Sequence, residues 1–315
     1  MANETTTTSA NDVAYSAIIE PIFMDYAHDW IVATPFLKEK VIGRGSASYQ
    51  FNRIDSDMGT VGANGAGVDT EFGAAEATDL SNTEISTSKV TVTAAEYGVL
   101  NTLTDNLVED SIEGVEWMQI IIGNSARILM TALEHDVLTL LSGFSTSVGS
   151  SGSDLTVAQL LAAFNTPRKL GVRAPDGLVC VLDDEQVDNV EAALTATGTS
   201  MAVYAGATDR LFGYAPAENN GLGNGHVMNF RGSPVFATGL GPTANTAADV
   251  TGGVFVPETP GNSAFAALGI VWKRAFRLEP ERDASLRATE YVGTMRCGVG
   301  ELSDSSGCAI ITDAP

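Results

Sequence analysis

The spacing of hydrophobic and polar positions changes several times along this chain, and each change indicates a different kind of element. Over residues 111–141 the apolar positions, from Ile112 to Leu140, recur close to every 3.6 residues, which is the period of an amphipathic helix. Asp110 and Glu113 have the spacing of a helix-start box. At 1.5 Å per residue this helix would be roughly 45 Å long, which is long for a globular domain.

Before this helix the pattern alternates instead. Residues 41–50 and 85–93 place apolar side chains such as Tyr49 at every second position, which predicts the two arms of a long β-hairpin. Between Arg53 and Lys89 there is no basic residue, but there are seven acids. These acids are Asp55, Asp57, Asp69, Glu71, Glu76, Asp79 and Glu84. Glycines are also frequent in this stretch, and it is unable to form a core of its own. We therefore expect a protrusion that becomes ordered only when something else covers it.

The first forty residues are predicted to form an arm. A weak helical period over residues 13–32 stops before Pro35. The arm carries large apolar side chains at Phe23, Trp30 and Phe36, which need a surface to pack against. A neighbouring copy of the chain is one candidate for that surface.

After the long helix the pattern predicts a compact α/β region. Residues 145–153 have the Ser/Gly composition of a linker. Two short helices are expected at 157–164 and 183–194, and a buried strand at 178–182 lies between them. Asp183 and Gln186 have the spacing of a start box for the second helix.

The last third of the chain is predicted to be mostly strands. The first two form a hairpin closed by the turn Arg231-Gly232-Ser233. The expected strands are His226–Phe230, 234–238, 254–256, 265–272, 286–297 and 309–312. Together with the helices they indicate the α+β class.

Composition narrows the possible functions. The chain has 315 residues, of which 44% are hydrophobic, enough for about two domains with a sizeable core. Its 17 basic and 39 acidic residues give a net charge of -22, which argues against direct binding of nucleic acid by the chain as a whole. The three cysteines are odd in number and widely spaced, which argues against a disulfide framework. We expect no signal peptide and no membrane span, because the N-terminus is polar and no run of eighteen apolar residues occurs.

Motifs that carry chemistry are missing from the sequence. There is no phosphate-binding loop and no nucleophile elbow. The segment 221–225 lacks the third glycine of a dinucleotide fingerprint. The histidines His28, His135 and His226 are far apart, and the segment 55–59 has only part of a calcium-loop pattern. We therefore expect no catalytic residues, no cofactor and no metal.

One basic cluster stands out. Six of the 17 basic residues fall between positions 273 and 296, interleaved with acids. They are Lys273, Arg274, Arg277, Arg282, Arg287 and Arg296. One interpretation is a solvated strand face. The other is a contact surface for acidic segments of neighbouring copies. The second makes Asp55, Asp57, Glu71, Arg274, Arg277, Arg282 and Arg287 candidate inter-subunit residues.

Two local stretches and the order of the elements resemble a known family. The stretch 231–238 (RGSPVFAT) is similar to the Gly-x-Pro-Val strand turn late in the axial domain of major capsid proteins of tailed double-stranded DNA phages. The tail, from 294–301 (TMRCGVGE) to 308–312 (CAIIT), is similar to that family's long strand, short loop and last apolar strand. The resemblance covers nearly the whole chain.

This resemblance implies the Hong Kong 97-type capsid fold. It implies an N-terminal arm at 1–40 and an extended loop at 41–98. The peripheral domain, with its long spine helix, would take 99–172 and 265–302, and the axial α/β domain 173–264 and 303–315. Two departures are visible. Only about forty residues precede the loop, so we expect no cleaved propeptide, and Lys89 is the only lysine in the loop region, so we expect no lysine–asparagine crosslink.

The resemblance implies a structural protein of the virion, assembled in the host cytoplasm. Its copies would form the hexamers and pentamers of an icosahedral head. Packaged DNA would be enclosed without sequence-specific binding, and an acidic inner wall would let it slide. A separate scaffolding protein, a portal and a decoration or cement protein are the implied partners, and no membrane is involved.

Three alternatives stay open at this stage. An encapsulin-type compartment shares the implied fold and would enclose protein cargo instead of DNA. A β-rich surface adhesin would suit the Thr, Gly and Asp content, although the lack of a signal peptide counts against it. A hydrolase with paired carboxylates would require a pocket in which such groups converge.

Overall fold

The structure, a computed structural model, describes residues 31–54, 87–110, 116–168, 177–196, 212–213, 225–258 and 266–313. Within these residues it contains two larger β-sheets, a two-stranded hairpin and four α-helices. The helices are α1 (Asp105–Asp110), α2 (Glu116–Leu141), α3 (Val157–Arg168) and α4 (Asp184–Ala196). None of the described helices is both long and apolar enough to cross a bilayer.

The strands follow in chain order. They are β1 (Lys38–Val41), β2 (Ser48–Ile54), β3 (Thr87–Thr93), β4 (Ala95–Thr104), β5 (Ser147–Val148), β6 (Val179–Asp183), β7 (Phe212–Gly213), β8 (His226–Phe230), β9 (Ser233–Thr238), β10 (Thr243–Ala244), β11 (Asp249–Phe255), β12 (Leu268–Asp283), β13 (Ala288–Glu301) and β14 (Gly307–Asp313).

The smaller of the two larger sheets has the order β1-β12-β13-β4. β1 is parallel to β12, and the other neighbours are antiparallel. The prediction for β12 was too short, because the strand was expected to end at Trp272 and instead continues to Asp283. The added residues are charged at many positions and mostly exposed, so they lack the alternation of apolar and polar residues that marks a half-buried strand.

The predicted hairpin is present as β2 and β3, which pair from Ser48 with Thr93 to Ile54 with Thr87. Its first arm was misplaced at 41–50. The chain up to Val41 belongs to β1 and pairs with β12, and a turn separates it from β2. The alternation of apolar and polar residues therefore predicted one strand at 41–50, where the structure has the end of β1 and the start of β2. The predicted acidic tip lies outside the described residues.

The predicted long helix is present as α2, which begins at Glu116 among the described residues and ends at Leu141. Of its predicted start box, Asp110 is the last residue of α1 and Glu113 lies outside the described part of the chain. Leu129, Leu133 and Val137 are buried in a core that takes side chains from both larger sheets. The helix therefore lies at the junction between the two sheets.

The larger sheet has eight strands in the order β5-β14-β11-β6-β9-β8-β7, with β10 paired to β11. The predicted hairpin of β8 and β9 is confirmed, and its turn has positive φ at Arg231 (54°) and Gly232 (82°). β11 is buried at every position and begins at Asp249, five residues before the predicted start at 254. Its first five residues, Asp-Val-Thr-Gly-Gly, contain one apolar side chain, so no apolar run indicated where the strand begins.

One glutamine ties α4 to the middle of this sheet. The predicted start box is confirmed, because the Asp183 amide donates to Gln186 Oε1 (3.2 Å) and the Glu185 amide to Asp183 Oδ1 (3.2 Å). Gln186 Nε2 donates to Thr312 Oγ1 at 2.8 Å and to two backbone carbonyls of β11 and β14 at 3.3 Å. A Cβ on Gly252 would lie 2.5 Å from Gln186 Oε1, so only glycine leaves room for this side chain.

Residues after α2 pack on the larger sheet. β5 pairs with β14, and Leu160 and Phe164 of α3 are buried against β6, β8, β11 and β14. The division into peripheral and axial domains remains a prediction.

Candidate assembly surfaces

The basic cluster lies on one face of the smaller sheet and around its hairpin tip. Arg274 stands opposite Arg296, which stands opposite Glu96 on the next strand. Arg274 reaches across this row and donates to Glu96 Oε1 at 2.6 Å and to Thr294 Oγ1 at 3.2 Å. Both partners of the ion pair are about half exposed, so this pair contributes little to stability.

The tip of the β12–β13 hairpin is more rigidly held. Arg282 donates to both carboxylate oxygens of Asp105 at 2.6 Å, and these hydrogen bonds lower the pKa of Asp105. The Asp283 carboxylate accepts from the side chain and amide of Ser285, which lower its pKa. Arg287 has a φ of 50°, and its carbonyl accepts from the Asp105 amide at 3.0 Å.

The acids nearest to the cluster were not among the candidates. Glu96, Asp105 and Glu279 of the same chain contact Arg274, Arg282 and Arg277 respectively. The candidates Asp55, Asp57 and Glu71 lie outside the described residues, so no contact with them is described. The missed signal was strand register, because the pairing of β4 with β13 puts Glu96 beside Arg296. Register depends on which strands are neighbours, and sequence spacing alone does not give that.

The two edges of the smaller sheet differ in how well they are protected from pairing with a strand of another chain. Beyond the four residues paired with β1, the outer edge of β12 has no strand beside it in the described part of the chain. It carries Pro280, alternating charges and register shifts between Trp272 and Arg277. These features protect an edge from pairing with another chain.

The opposite edge lacks such protection. β4 is the last strand of the sheet and runs for ten residues with one charged side chain, Glu96, and no proline. Leu100 is 56% exposed. A long, nearly uncharged edge of this kind is a template for strand pairing.

A groove of about 580 Å³ lies between β4 and α2. It is lined by Tyr97 of β4 and by Arg127, Ile128, Thr131, Ala132, His135 and Asp136 of α2. The Tyr97 hydroxyl donates a short hydrogen bond to Asp136. Burial, and then this hydrogen bond, raise the pKa of Tyr97 far above its usual value. The groove therefore holds a fixed polar pair at one end and the partly exposed Ile128 beside it.

A buried carboxylate fastens the start of the described chain to α2. Glu134 is fully buried, and its Oε1 accepts from the amides of Val32 (3.0 Å) and Ala33 (2.5 Å). Its Oε2 accepts from the Thr34 amide (3.2 Å) and hydroxyl (2.6 Å). A carboxylate has about four lone-pair positions, so all of them are used by this segment.

The same segment contacts both larger sheets. The Phe36 ring packs on Phe236 of β9 at 5.1 Å between ring centres, and the Phe36 carbonyl accepts from the Glu258 amide at 3.0 Å. The chain then continues into β1, which pairs with β12. We call residues 31–41 the strap, because they join α2, the larger sheet and the smaller sheet.

Groups associated with catalysis are dispersed or buried. The three cysteines are buried, and burial raises the pKa of the Cys297 thiol to about 12. His226 contacts Asn229 at 3.2 Å, His135 lines the groove, and His28 lies outside the described residues. In the described ranges, no three His, Cys, Asp or Glu side chains converge as metal ligands do.

Comparison with known proteins identifies the fold. No protein-family model matches the sequence, and no curated protein is similar enough in sequence to match. Solved structures do match. The capsid of the cyanophage P-SCSP1u superposes with a TM-score of 0.59 at 13% identity, covering 89% of this chain and 87% of the other.

Two further matches span almost the full length of both chains. The SrpI encapsulin from Synechococcus elongatus PCC 7942 has a TM-score of 0.59 at 10% identity, covering 98% and 93%. The capsid of the native GTA particle has a TM-score of 0.55 at 13% identity, covering 100% and 95%. At these identities the likeness concerns the fold, and the predicted Hong Kong 97-type capsid fold is confirmed.

Proposed function

We propose that this chain is a structural shell protein, and that its copies assemble into the icosahedral head of a tailed phage around double-stranded DNA. The observation that carries the proposal is the agreement of fold over about nine tenths or more of this chain with phage capsid, GTA and encapsulin subunits. Fold alone does not define function, so the surfaces must supply the remaining support.

The surfaces favour association. Among the described residues no strand pairs with the outer edge of β4, where Leu100 is exposed, and Ile128 is exposed in the groove. The net charge of -22 suits a wall that does not grip DNA, because phosphates and carboxylates repel. A scaffolding protein, a portal and a decoration protein are proposed partners by analogy with phage heads.

The encapsulin-type compartment is the second candidate. The observation that favours it is the likeness to the Synechococcus elongatus encapsulin, whose TM-score equals that of the cyanophage capsid. The two candidates differ in content, because a phage head encloses DNA and a compartment encloses protein.

One experiment tests the proposal and separates the candidates. The full chain is produced and examined by electron microscopy, and particles from the natural source are treated with nuclease before their content is measured. We expect uniform closed shells and nuclease-protected DNA. Shells that hold protein cargo but no DNA would favour the compartment, and a chain that stays monomeric under all conditions would refute a shell protein.

The basic cluster is proposed as a contact between copies. Asp55, Asp57 and Glu71 of one copy would lie near Arg274, Arg277, Arg282 and Arg287 of another. Arg277 and Arg287 are the better test positions, because Arg282 holds Asp105 of its own chain through two hydrogen bonds, whereas the pair of Arg277 with Glu279 is largely exposed. Opposite charges across an interface set register and association rate more than affinity.

The test is a double charge reversal, Arg277→Glu with Arg287→Glu, which should slow assembly followed by light scattering. Adding Asp55→Arg and Asp57→Arg should restore part of the rate. The matched control reverses Lys40 and Arg44, which lie outside the cluster. Normal assembly of the Arg277/Arg287 variant at low and high salt would show that the cluster is only a solvated strand face.

A further inference from the structure

We propose that the open edge of β4 pairs with the β4 edge of a second copy of this chain, as an antiparallel two-fold contact centred on Leu100. The inference deepens the proposed shell function and rests on it for the second copy. The contact would join two four-stranded sheets into one sheet of eight strands.

The first argument is the contrast between the two edges of one sheet. The β12 edge has Pro280, register shifts and alternating charges, all of which oppose strand addition. The β4 edge has none of these over ten residues. An unpaired edge exposes a row of amide and carbonyl groups, and the features that oppose pairing are present along β12 and absent from β4.

The second argument is charge. A chain with a net charge of -22 repels its own copies over most of its surface. The β4 edge is an exception, because its single acid, Glu96, is held by Arg274, and Asp136 in the groove accepts from Tyr97. Interface centres are depleted in charged residues, and this strip is depleted on an otherwise acidic molecule.

The third argument is that the strand is complementary to itself. With Leu100 opposite the same residue of the second copy, Gly98 faces Thr102 and Glu96 faces Thr104. The side chains of one sheet face then meet those of the same face, as the two-residue period requires. No like charges stand opposite each other, and the two exposed leucines cover one another.

The fourth argument is the position of α2. The helix packs on both β4 and β13, so its axis lies slightly inside the edge. With strands about 4.8 Å apart, the two copies of α2 would lie about 10 Å apart, which is within the range for packed helices. The side of α2 that lines the groove carries Ile128, exposed by 42%, and the small residues Thr131 and Ala132 together with Arg127 and His135.

The test uses the full chain with Leu100→Cys and a short bis-maleimide crosslinker. The three native cysteines are buried, so the new thiol is the reactive one. We expect a covalent dimer of twice the chain mass on a denaturing gel. The control is Glu281→Cys, an exposed position on the protected edge of the same sheet, which should stay monomeric.

The outcomes distinguish failure of the proposed β4 contact from failure of the proposed shell function. Shells that form while Leu100→Cys stays monomeric would overturn the β4 contact and leave the shell intact. A covalent dimer from a chain that never forms shells would support the contact and overturn the shell. A crosslinked product of another mass would show that a different protein occupies the edge, which also overturns the proposal.

A second variant tests the contact without a crosslinker. Leu100→Lys places two ammonium groups opposite each other at the two-fold axis, and we expect at least a tenfold loss in the yield of shells. The control is Val41→Lys, the same kind of change at a valine that is 72% exposed. Equal yields from the two variants would overturn the β4 contact.

Discussion

At the scale of single residues, buried polar side chains hold together parts of the chain that are far apart in sequence. Glu134 joins α2 to the strap about one hundred residues earlier, and Gln186 joins α4 to β14. Asp249 is buried and accepts from the Gly152 amide at 3.1 Å and from Asn245. Each of these three buried side chains has hydrogen-bond partners, and leaving such a group unpaired costs about 1–3 kcal/mol.

Glu134→Ala should therefore loosen the strap. The variant leaves the amides of Val32, Ala33 and Thr34 without their acceptor, and we expect the free energy of unfolding to fall by about 2–4 kcal/mol. Urea denaturation of dissociated subunits measures this loss, and hydrogen exchange should show faster exchange at residues 32–34. The control is His135→Ala, the next residue on the exposed side of α2, which should change stability by less than about 0.5 kcal/mol. Equal effects from both would contradict the role of Glu134.

Asp249 should make the molecule sensitive to acid. The Asn245 side chain, followed by Ser151 and the Gly152 amide, lowers the pKa of Asp249 below that of an unfolded carboxyl. The unfolded chain thus takes up its proton first as the pH falls. The stabilisation is complete at neutral pH and is lost as the pH drops below about 4 towards the native pKa.

The measurement is the melting temperature of wild type and Asp249→Asn across this acid range. The variant should melt at a lower temperature at pH 7, and its melting temperature should fall less steeply with acid. Asn245→Ala removes the main donor and should shift the curve in the same direction. Parallel curves for wild type and Asp249→Asn would show that the carboxylate does not contribute.

At the scale of elements, α2 has two different sides. One side packs into the core shared by both larger sheets, and the other borders the groove beside β4. Neighbouring positions on the helix therefore serve different purposes. Leu129 is 2% exposed and Ile128 is 42% exposed.

Leu129→Ala and Ile128→Ala form a matched pair. Leu129→Ala should cost about 2–5 kcal/mol in the free energy of unfolding, because it opens a cavity between the sheets. Ile128→Ala should cost less than about 1 kcal/mol in dissociated subunits, while lowering the yield of shells if the β4 contact forms. Denaturant titration and particle yield are measured on both variants. A large loss of subunit stability from Ile128→Ala would place that residue in the core instead.

At the scale of the whole molecule, the sheets are held together by α2 and the strap, and no disulfide joins the described cysteines. Covalent linkage between copies by the lysine–asparagine route is not expected either. Lys89, the only lysine of residues 41–98, stands on β3 opposite Asn52 of its own chain. The proposed shell would then depend on many weak contacts between copies.

Shells boiled in detergent and reductant should therefore run as a single band at the chain mass of 32.8 kDa. A sample treated with a lysine-reactive crosslinker serves as the control for detecting covalent oligomers. A ladder of oligomers in untreated shells would show a covalent bond between copies, and Lys89→Arg would then identify whether this lysine forms it.

The sequence by itself determined the elements whose patterns are local. The 3.6-residue period of α2, the start box at Asp183 and Gln186, and the turn after Phe230 depend on residues close together in the chain, and the structure has all three. The order of the elements, together with the stretches 231–238, 294–301 and 308–312, also predicted the fold that the comparisons confirm.

Only the tertiary structure decided what lies beside what. The length of β12 depends on pairing with β13, since its charged residues carry no pattern of burial. Glu134 is a charged residue in α2, and it is buried because the strap covers it. The partners of the basic cluster and the open edge of β4 follow from strand order. The contacts of Glu134, Arg274 and Arg282 join residues about a hundred or more positions apart, and local spacing holds no information about them.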